Sequence, residues 1–316
     1  GATMHAEVSG TADFVEPNDE ACLDRLRQLI DLLPKPDSDT FDSVEPEKDV
    51  ETLYELIDVD ARREYDVRDL LAAIVDAGSM AEYKADYGKP IVCSYARLKG
   101  RPIGIVASQK VRTSTGKGEV QIGGVVYHQS ADKAARFIMD CDQTGVPLLF
   151  IQDVTGFMVG KASEQAGIIR SGAKTVNAVS NVRVPKITLV VGGSFGAGNY
   201  ALCGKGFEPT FIFAWPNARY AVMGGAQAAT TLLQLEVRKR QKAGDDIGEE
   251  EIAALRKVVE DDYAEQTDIR YGAARGWVDA IIPPHATRDT LALAIEAAAN
   301  GQRPQRPGYR GGVFQT

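Results

Sequence analysis

Residues 186–204 read KITLVVGGSFGAGNYALCG and contain the strongest structural signal of the sequence. An apolar, β-branched run ends in a turn of small residues, and a segment compatible with a helix follows it. A strand that passes into a helix in this way brings unpaired backbone N–H groups to one point. Because glycine and alanine leave such groups uncovered, the stretch predicts a site for an anion or a developing oxyanion.

Three interpretations of this turn remain open on the residues alone. Glycine can serve only for tight packing between the strand and the helix. Alternatively, residues 192–196 (GGSFG) match the G-x-S-x-G pattern of a hydrolase, with Ser194 as nucleophile and a triad completed by Asp268 or Asp279 and His285. No His-Gly-Gly-Gly segment precedes the turn to build a second oxyanion donor. In the third interpretation the backbone N–H groups act alone, without a side-chain nucleophile.

Two similar turns favour the third interpretation. One is residues 153–160 (DVTGFMVG), which follow a predicted buried strand, and the other is residues 222–227 (VMGGAQ), which precede a predicted helix. Ligands of open α/β sheets bind at the carboxyl ends of the strands. We therefore expect the three turns to share one cleft.

Short apolar segments alternate with amphipathic ones after residue 60, which predicts an α/β domain with much parallel sheet. The predicted strands cover residues 91–98, 103–108, 148–152, 187–191, 211–215, 220–223 and 278–282. The predicted helices cover residues 67–76, 131–143, 165–181, 227–243, 249–262 and 287–300. Residues 110–124, rich in Gly, Thr and Lys, are typical of a loop.

The first 60 residues have a different character. Residues 19–33 predict one amphipathic helix with Leu23, Leu26 and Ile30 on one face. Residues 31–60 carry three prolines among acidic residues and serines, which indicates a linker or a solvated excursion.

The composition excludes several classes of protein. The chain has 316 residues, of which 44% are hydrophobic and 25% charged, as in ordinary globular proteins. No run of about twenty apolar residues predicts a membrane span, and a net charge of −8 argues against nucleic-acid binding. The four cysteines lack CxxC spacing, and no signal peptide or metal-ligand cluster is visible. These features predict a cytoplasmic protein with free thiols and no metal.

Five motifs occur in the order found in one enzyme family. They are residues 153–160 (DVTGFMVG), 167–174 (GIIRSGAK), 184–188 (VPKIT), 192–200 (GGSFGAGNY) and 215–229 (WPNARYAVMGGAQAA). In them the sequence resembles the β subunits of biotin-dependent acyl-CoA carboxyltransferases, most closely the methylcrotonyl-CoA and geranyl-CoA carboxylase group. The loop at residues 110–124 resembles instead the decarboxylase α subunits that act on glutaconyl-CoA.

The resemblance implies a crotonase-like (ClpP/crotonase) ββα superhelix and a division of the chain into three parts. Residues 1–33 correspond to the tail of a first carboxyltransferase half-domain. Residues 34–60 form an acidic, proline-containing linker. Residues 61–316 form the C-terminal carboxyltransferase domain, which receives biotin. The body of the first half-domain, which grips acyl-CoA in this family, has no counterpart in these 316 residues.

The resemblance also implies the reaction and the partners. Carboxybiotin, carried on another protein, gives its CO2 to an acyl-CoA thioester, while backbone oxyanion holes stabilise the negative charge. The implied partners are biotin carboxylase, the biotin carboxyl carrier subunit and an N-terminal carboxyltransferase half-domain. The implied assembly is a homo-oligomer, a trimer of dimers. A glutaconyl-CoA type decarboxylase subunit is the alternative within the same fold, and neither direction nor acyl group follows from the sequence.

The site residues are carried over onto the matching motifs. Ala197 and Gly198 are the implied oxyanion donors, through their backbone N–H groups, and Ser194 becomes a structural residue. The remaining biotin- or substrate-binding candidates are Gly156, Phe157, Met158, Gly196, Asn199, Tyr200, Met223, Gly224, Gly225 and Gln227.

Overall fold

The computed structural model describes residues 1–34, 42–56, 63–242 and 248–301, without the side chains of residues 225–227, 241, 300 and 301. The strands are β1 Ala81–Tyr83, β2 Ile91–Leu98, β3 Arg101–Ser108, β4 Thr113–Ser114, β5 Val120–Gln121, β6 Val125–Val126, β7 Leu148–Val154, β8 Gly156–Phe157, β9 Lys186–Phe195, β10 Phe211–Ala214, β11 Arg219–Ala221 and β12 Ala280–Ile281. The α-helices are α1 Ala2–Glu7, α2 Asp19–Asp31, α3 Leu53–Leu56, α4 Val67–Ala72, α5 His128–Thr144, α6 Lys161–Gln165, α7 Ile168–Asn181, α8 Gly196–Ala201, α9 Gly225–Lys242, α10 Glu249–Thr267, α11 Ile269–Ala273 and α12 Thr287–Gly301.

One eight-stranded sheet organises the domain. Its order is β1-β2-β3-β7-β9-β10-β12, and β11 also pairs with β9. The pairs β1–β2 and β2–β3 are antiparallel. The parallel pairs are β3–β7, β7–β9, β9–β10, β9–β11 and β10–β12. The predicted α/β domain with a largely parallel sheet is therefore confirmed.

Two layers of helices cover the sheet, and strand β7 shows why. All seven of its residues are buried. Leu149 and Ile151 join the core cluster formed with α4 and α12, whereas Leu148 and Phe150 join the cluster formed with α5 and α7. Because successive strand residues point to opposite faces, an unbroken apolar strand requires a packed layer on each side.

Two elements show the local reasons for the chain path. Strands β2 and β3 are joined by Lys99 and Gly100, both with positive φ (48° and 78°), as a two-residue type I′ hairpin requires. The single helix predicted over residues 165–181 is instead α6 and α7. Gly167 separates them with a φ of +88°, a left-handed conformation that cannot continue a helix.

The N-terminal segment packs onto the sheet edge. Lys84 pairs with Asp13 at 2.6 Å and also donates to the Gly10 carbonyl. The ring of Phe14 meets Tyr83 edge-on at 6.3 Å.

Helix α2 forms as predicted, but Leu23, Leu26 and Ile30 on its apolar face are exposed.

The predicted linker is only partly described, because residues 35–41 and 57–60 lie outside the described residues. Most of residues 42–56 are exposed, as expected of a linker, but two contacts attach the stretch to the domain. Leu53 is fully buried in the core cluster with α4, and Lys48 pairs with Asp69 at 2.6 Å. The linker and the domain boundaries stay a prediction.

The helices of the described residues include none that is both long and apolar enough to cross a membrane. The predicted loop at residues 110–124 contains the short antiparallel pair β4–β5.

Candidate active site at the glycine-rich turn

Strand β9 passes directly into helix α8, with Gly196 at the junction. Gly196 has a φ of +54°, and a Cβ there would lie 3.0 Å from the Val222 carbonyl oxygen. At Gly198 a Cβ would lie 2.6 Å from Val154 Cγ2 and 3.2 Å from the Gly156 Cα. Glycine at both positions therefore permits the close backbone approach that the sequence predicted.

These same contacts bring the three predicted turns together. Gly198 touches the turn after β7, and Gly196 touches the turn after β11. The strands explain the meeting: β9 lies between β7 and β11, with Ser194 opposite Val154 on one side and opposite Tyr220 on the other. The three strand ends thus form one surface, as expected of parallel neighbours.

The two proposed donors differ in exposure. Ala197 is exposed and Gly198 is buried. Both occupy the first turn of α8, where backbone N–H groups have no acceptor within the helix. Only the methyl group of Ala197 and the hydrogen of Gly198 accompany these N–H groups, so neither residue has a large side chain that would cover them.

Ser194 is not placed as a nucleophile. Its side chain is fully buried, its hydroxyl donates to Gln152 Oε1 at 2.5 Å, and it accepts from Asn199 Nδ2 at 2.6 Å. The histidine of the hydrolase interpretation, His285, instead contacts the Tyr54 hydroxyl through Nδ1 at 2.6 Å. Asp268 pairs with Arg270 at 2.7 Å.

The Ser-Asp-His arrangement is therefore not assembled among the described residues, which argues against a serine hydrolase.

Asn199 lies beneath the turn rather than on its surface. Only 5% of the residue is exposed, and its amide bonds Ser194 and, through Oδ1, the Tyr220 hydroxyl at 3.3 Å. Burial raises the pKa of Tyr220, so its hydroxyl stays protonated and donates. The side chain predicted to contact substrate is thus engaged within the fold.

The other predicted residues surround the turn. Phe157 packs on α7, where a Cβ at Gly172 would lie 2.9 Å from its ring. Tyr200 is half exposed and meets Phe207 edge-on at 5.9 Å. Gly156 and Met158 are partly exposed. Met223 and Gly224 lie on the turn at residues 222–227, where Met223 is exposed. The side-chain surroundings of Gly225 and Gln227 lie outside the described residues.

Sequence reasoning missed a charged group beside the turn. Asp153 Oδ1 accepts from the Gly193 backbone N–H at 2.9 Å and pairs with Lys110 Nζ at 2.9 Å. The Tyr65 hydroxyl donates to Asp153 Oδ2 at 3.3 Å, and burial together with this carboxylate raises the Tyr65 pKa well above its usual value. The polar pair Gln152–Asp153 at the end of an apolar strand was the available signal.

A cavity of about 610 Å³ opens beside the turn at residues 153–160. Its walls come from residues 158–163, from residues 114–117 of the β4–β5 insert, and from Glu7 and Val8 of the N-terminal segment. His128 also lines it, and burial lowers the pKa of this histidine. Among the described residues, no group of three or more His, Cys, Asp or Glu side chains is placed to hold a metal.

Exposed apolar side chains border the site. Val159, Ile169 and Val222 are each more than 70% exposed. Val159 lies on the turn at residues 153–160, Val222 lies on the turn at residues 222–227, and Ile169 is the second residue of α7. Large apolar side chains that are this exposed near a site are compatible with a surface that a partner covers.

Comparison with known proteins identifies the family. Residues 1–313 match the carboxyl transferase domain model. The beta1 subunit of the biotin-dependent 3-methylcrotonyl-coenzyme A carboxylase of Mycobacterium tuberculosis is 39% identical over 318 residues, which cover 100% of this chain and 57% of that subunit.

Two solved structures have the same fold. Transcarboxylase 12S, a hexamer with methylmalonyl-coenzyme A and methylmalonic acid bound, matches with a TM-score of 0.83 at 35% identity, covering 100% of this chain and 58% of its own. The beta subunit of P. aeruginosa geranyl-CoA carboxylase matches with a TM-score of 0.70 at 36% identity, covering 100% and 57%.

The chain thus spans somewhat more than half the length of these relatives. The match nevertheless covers nearly all 316 residues, and the expected resemblance is confirmed. The chain belongs to the carboxyl transferase domain family and has its crotonase-like α/β fold.

Proposed function

We propose that this chain forms the biotin-facing half of an acyl-CoA carboxyltransferase within a biotin-dependent carboxylase. The observation that supports this most directly is the meeting of three strand-end turns around the N–H groups of Ala197 and Gly198, with Ser194 buried beneath them. Such a site offers electrostatic stabilisation without a side-chain nucleophile.

The residues fit a ureido group of biotin. Gly196, Ala197 and Gly198 place no large side chain beside their N–H groups, and the neighbouring Met223 and Val222 offer exposed apolar contact to a bicyclic ring. When bound, carboxybiotin supplies the carboxyl group and leaves negative charge on the ureido oxygen. The chain's own contribution is to direct two N–H donors at that oxygen, and one lost donor of this kind costs about 2.7–4 kcal/mol of barrier.

The acyl-CoA site requires a first carboxyltransferase half-domain. The exposed apolar border formed by Val159, Ile169 and Val222 supports docking of such a partner. Biotin carboxylase and a biotin carboxyl carrier complete the proposed system, in a cytoplasmic trimer of dimers. We place residues 1–33 with the first half-domain, residues 34–60 as the connecting segment and residues 61–316 as the C-terminal domain.

Reconstitution tests this function. The chain is combined with an N-terminal carboxyltransferase half, biotin carboxylase, biotinylated carrier, ATP and radiolabelled bicarbonate, and is assayed with a panel of branched and unsaturated acyl-CoAs. We expect biotin- and ATP-dependent labelling of at least one thioester. Failure with every thioester contradicts the proposal, whereas CO2 release from carboxylated thioesters without ATP favours the decarboxylase direction.

A further inference from the structure

A chain of buried hydrogen bonds runs beneath the glycine-rich turn. The Tyr220 hydroxyl donates to Asn199 Oδ1 at 3.3 Å, Asn199 Nδ2 donates to Ser194 Oγ at 2.6 Å, and Ser194 donates to Gln152 Oε1 at 2.5 Å. Gln152 Nε2 then donates to the Leu202 carbonyl at 2.6 Å. The four hydrogen bonds therefore point the same way, from the Tyr220 hydroxyl on β11 to the Leu202 carbonyl at the end of α8.

This chain of bonds holds the C-terminal half of α8. The side chain of Asn199 ties the helix to β9, and Gln152 Nε2 bonds the carbonyls of Leu202 and Asn199. Helix α8 has only six residues, too few to be stable by itself. Its orientation must therefore come from these contacts and from packing at Gly198.

We infer that Ser194, Gln152 and Asn199 are positioning residues that fix the direction of the Ala197 and Gly198 N–H groups. This inference rests on the proposed function and assigns the buried serine a role other than that of a nucleophile. A small rotation of α8 would turn both N–H groups away from the reacting oxygen, and misplacements near 1 Å are known to cost about 100-fold in rate.

Ser194 is the link that a single substitution removes. Ser194→Ala leaves Gln152 Oε1 and Asn199 Nδ2 without their shared partner in a region closed to water. Unpaired buried groups reorganise to find new partners. The two side chains can pair directly only if one of them moves. A shift of Asn199 would displace α8, and a shift of Gln152 would break its bond to the Leu202 carbonyl at the end of α8.

The first test separates turnover from binding in the reconstituted complex. For Ser194→Ala we expect kcat to fall about 10- to 100-fold while KM for acyl-CoA changes less than about threefold, because the donors act in the transition state. Ser194→Thr keeps the hydroxyl and should recover most of the loss. Tyr220→Phe removes the longer bond to Asn199 and the bond that the hydroxyl accepts from the Lys205 N–H, both 3.3 Å, but leaves Ser194 in place and should lose less than about fivefold.

Thr175→Val is the matched control. Thr175 is also fully buried and donates to a backbone carbonyl, that of Ala131, at 2.8 Å, but it joins α7 to α5. This variant loses one buried hydroxyl away from the bonds beneath α8. Its kcat should stay within about twofold of the wild type. An equal loss in Ser194→Ala and Thr175→Val, or no loss in Ser194→Ala, overturns the inference.

Amide hydrogen exchange gives a readout that does not depend on activity. Residues 198–204 include the bonds from Leu202 N–H to Gly198 O and from Gly204 N–H to Asn199 O at 2.7 Å. We expect exchange there to accelerate at least about tenfold in Ser194→Ala but not in Thr175→Val. Unchanged exchange overturns the positioning role, whereas an inactive wild-type complex with accelerated exchange in the variant contradicts only the proposed carboxyltransferase function.

Discussion

Asp153 and Lys110 form an ion pair of 2.9 Å at the edge of the glycine-rich turn, and their side chains are only 9% and 14% exposed. The same carboxylate oxygen accepts the Gly193 N–H at 2.9 Å. A Cβ at Gly192 would lie 2.5 Å from this carboxyl group. Asp153 therefore joins the turn at residues 153–160 to the glycine-rich turn through the Gly193 N–H, and to Lys110 through charge.

Asp153→Asn tests that link. The amide oxygen can still accept from Gly193, but the partly buried Lys110 loses its counter-charge. We expect the free energy of unfolding to fall by about 1–3 kcal/mol, measured by urea denaturation. Asp24→Asn breaks an exposed pair with Arg27 and should cost less than about 0.5 kcal/mol. Equal effects of the two substitutions are inconsistent with a structural role for the Asp153 pair.

Gly198→Ala tests the close contact between the first two turns. The added methyl group would meet Val154 Cγ2 at 2.6 Å, so α8 or β7 must shift. We expect destabilisation of about 1–3 kcal/mol, measured as above, and a loss of turnover in the reconstituted complex. Val154→Ala in the same chain should restore part of the turnover. Gly248→Ala is the control, since nothing lies within 4 Å of its Cβ position and its φ is −73°.

Arg288 and Asp76 form a buried pair far from the site. Their side chains are 6% and 1% exposed, 2.8 Å apart, and Arg288 also donates to the carbonyls of Ile74 and Val44. Arg288→Met leaves a buried carboxylate without its cation, and we expect a loss of about 3–5 kcal/mol of stability. A change in the unfolding midpoint no larger than that of Asp24→Asn contradicts this assignment.

Lys133 predicts a pH dependence of stability. It is 1% exposed on α5, donates to the Lys84 carbonyl at 3.3 Å, and burial lowers its pKa from 10.5 to about 8. Between pH 8 and 10.5 the unfolded chain binds this proton and the folded chain does not, so stability rises with pH in that window. The charges of Glu82, Arg68 and Lys84 also act on it.

The measurement compares wild type with Lys133→Met, because tyrosines and cysteines titrate in the same range. We expect the wild-type unfolding free energy, relative to the variant, to rise by about 3 kcal/mol from pH 8 to pH 10.5. Parallel stability profiles would show that Lys133 keeps an ordinary pKa.

The sequence predicted the main site elements because their signals are local. The apolar run before Gly192 predicts β9, and the small residues after it predict the turn to α8. The alternation of strands and helices predicts parallel strands, whose carboxyl ends lie at the same edge of a sheet. The sequence alone therefore predicted that the three turns lie together. The interruption at Gly167 was missed because a single glycine inside a helical pattern is tolerated more often than not.

Contacts between distant residues could not be predicted in the same way. Lys110 lies 43 residues before Asp153 and belongs to a segment with the composition of a loop. The inward position of Asn199 could not be predicted for a related reason: a polar residue after a glycine-rich turn looks exposed, whereas here Ser194 and Tyr220 provide inward partners. Leu53 sits in an acidic, proline-containing stretch, and only the packed core shows its burial.

The most direct test of the central claim removes one donor and leaves the fold intact. Ala197→Pro deletes the N–H at a position in the first turn of α8, where no helical hydrogen bond is lost and proline is tolerated. Ala197→Ser keeps the N–H and is the control. In the reconstituted carboxyl-transfer assay we predict a kcat roughly 100- to 1,000-fold lower for Ala197→Pro and near wild type for Ala197→Ser. A folded Ala197→Pro variant that transfers the carboxyl group at the wild-type rate would contradict the account.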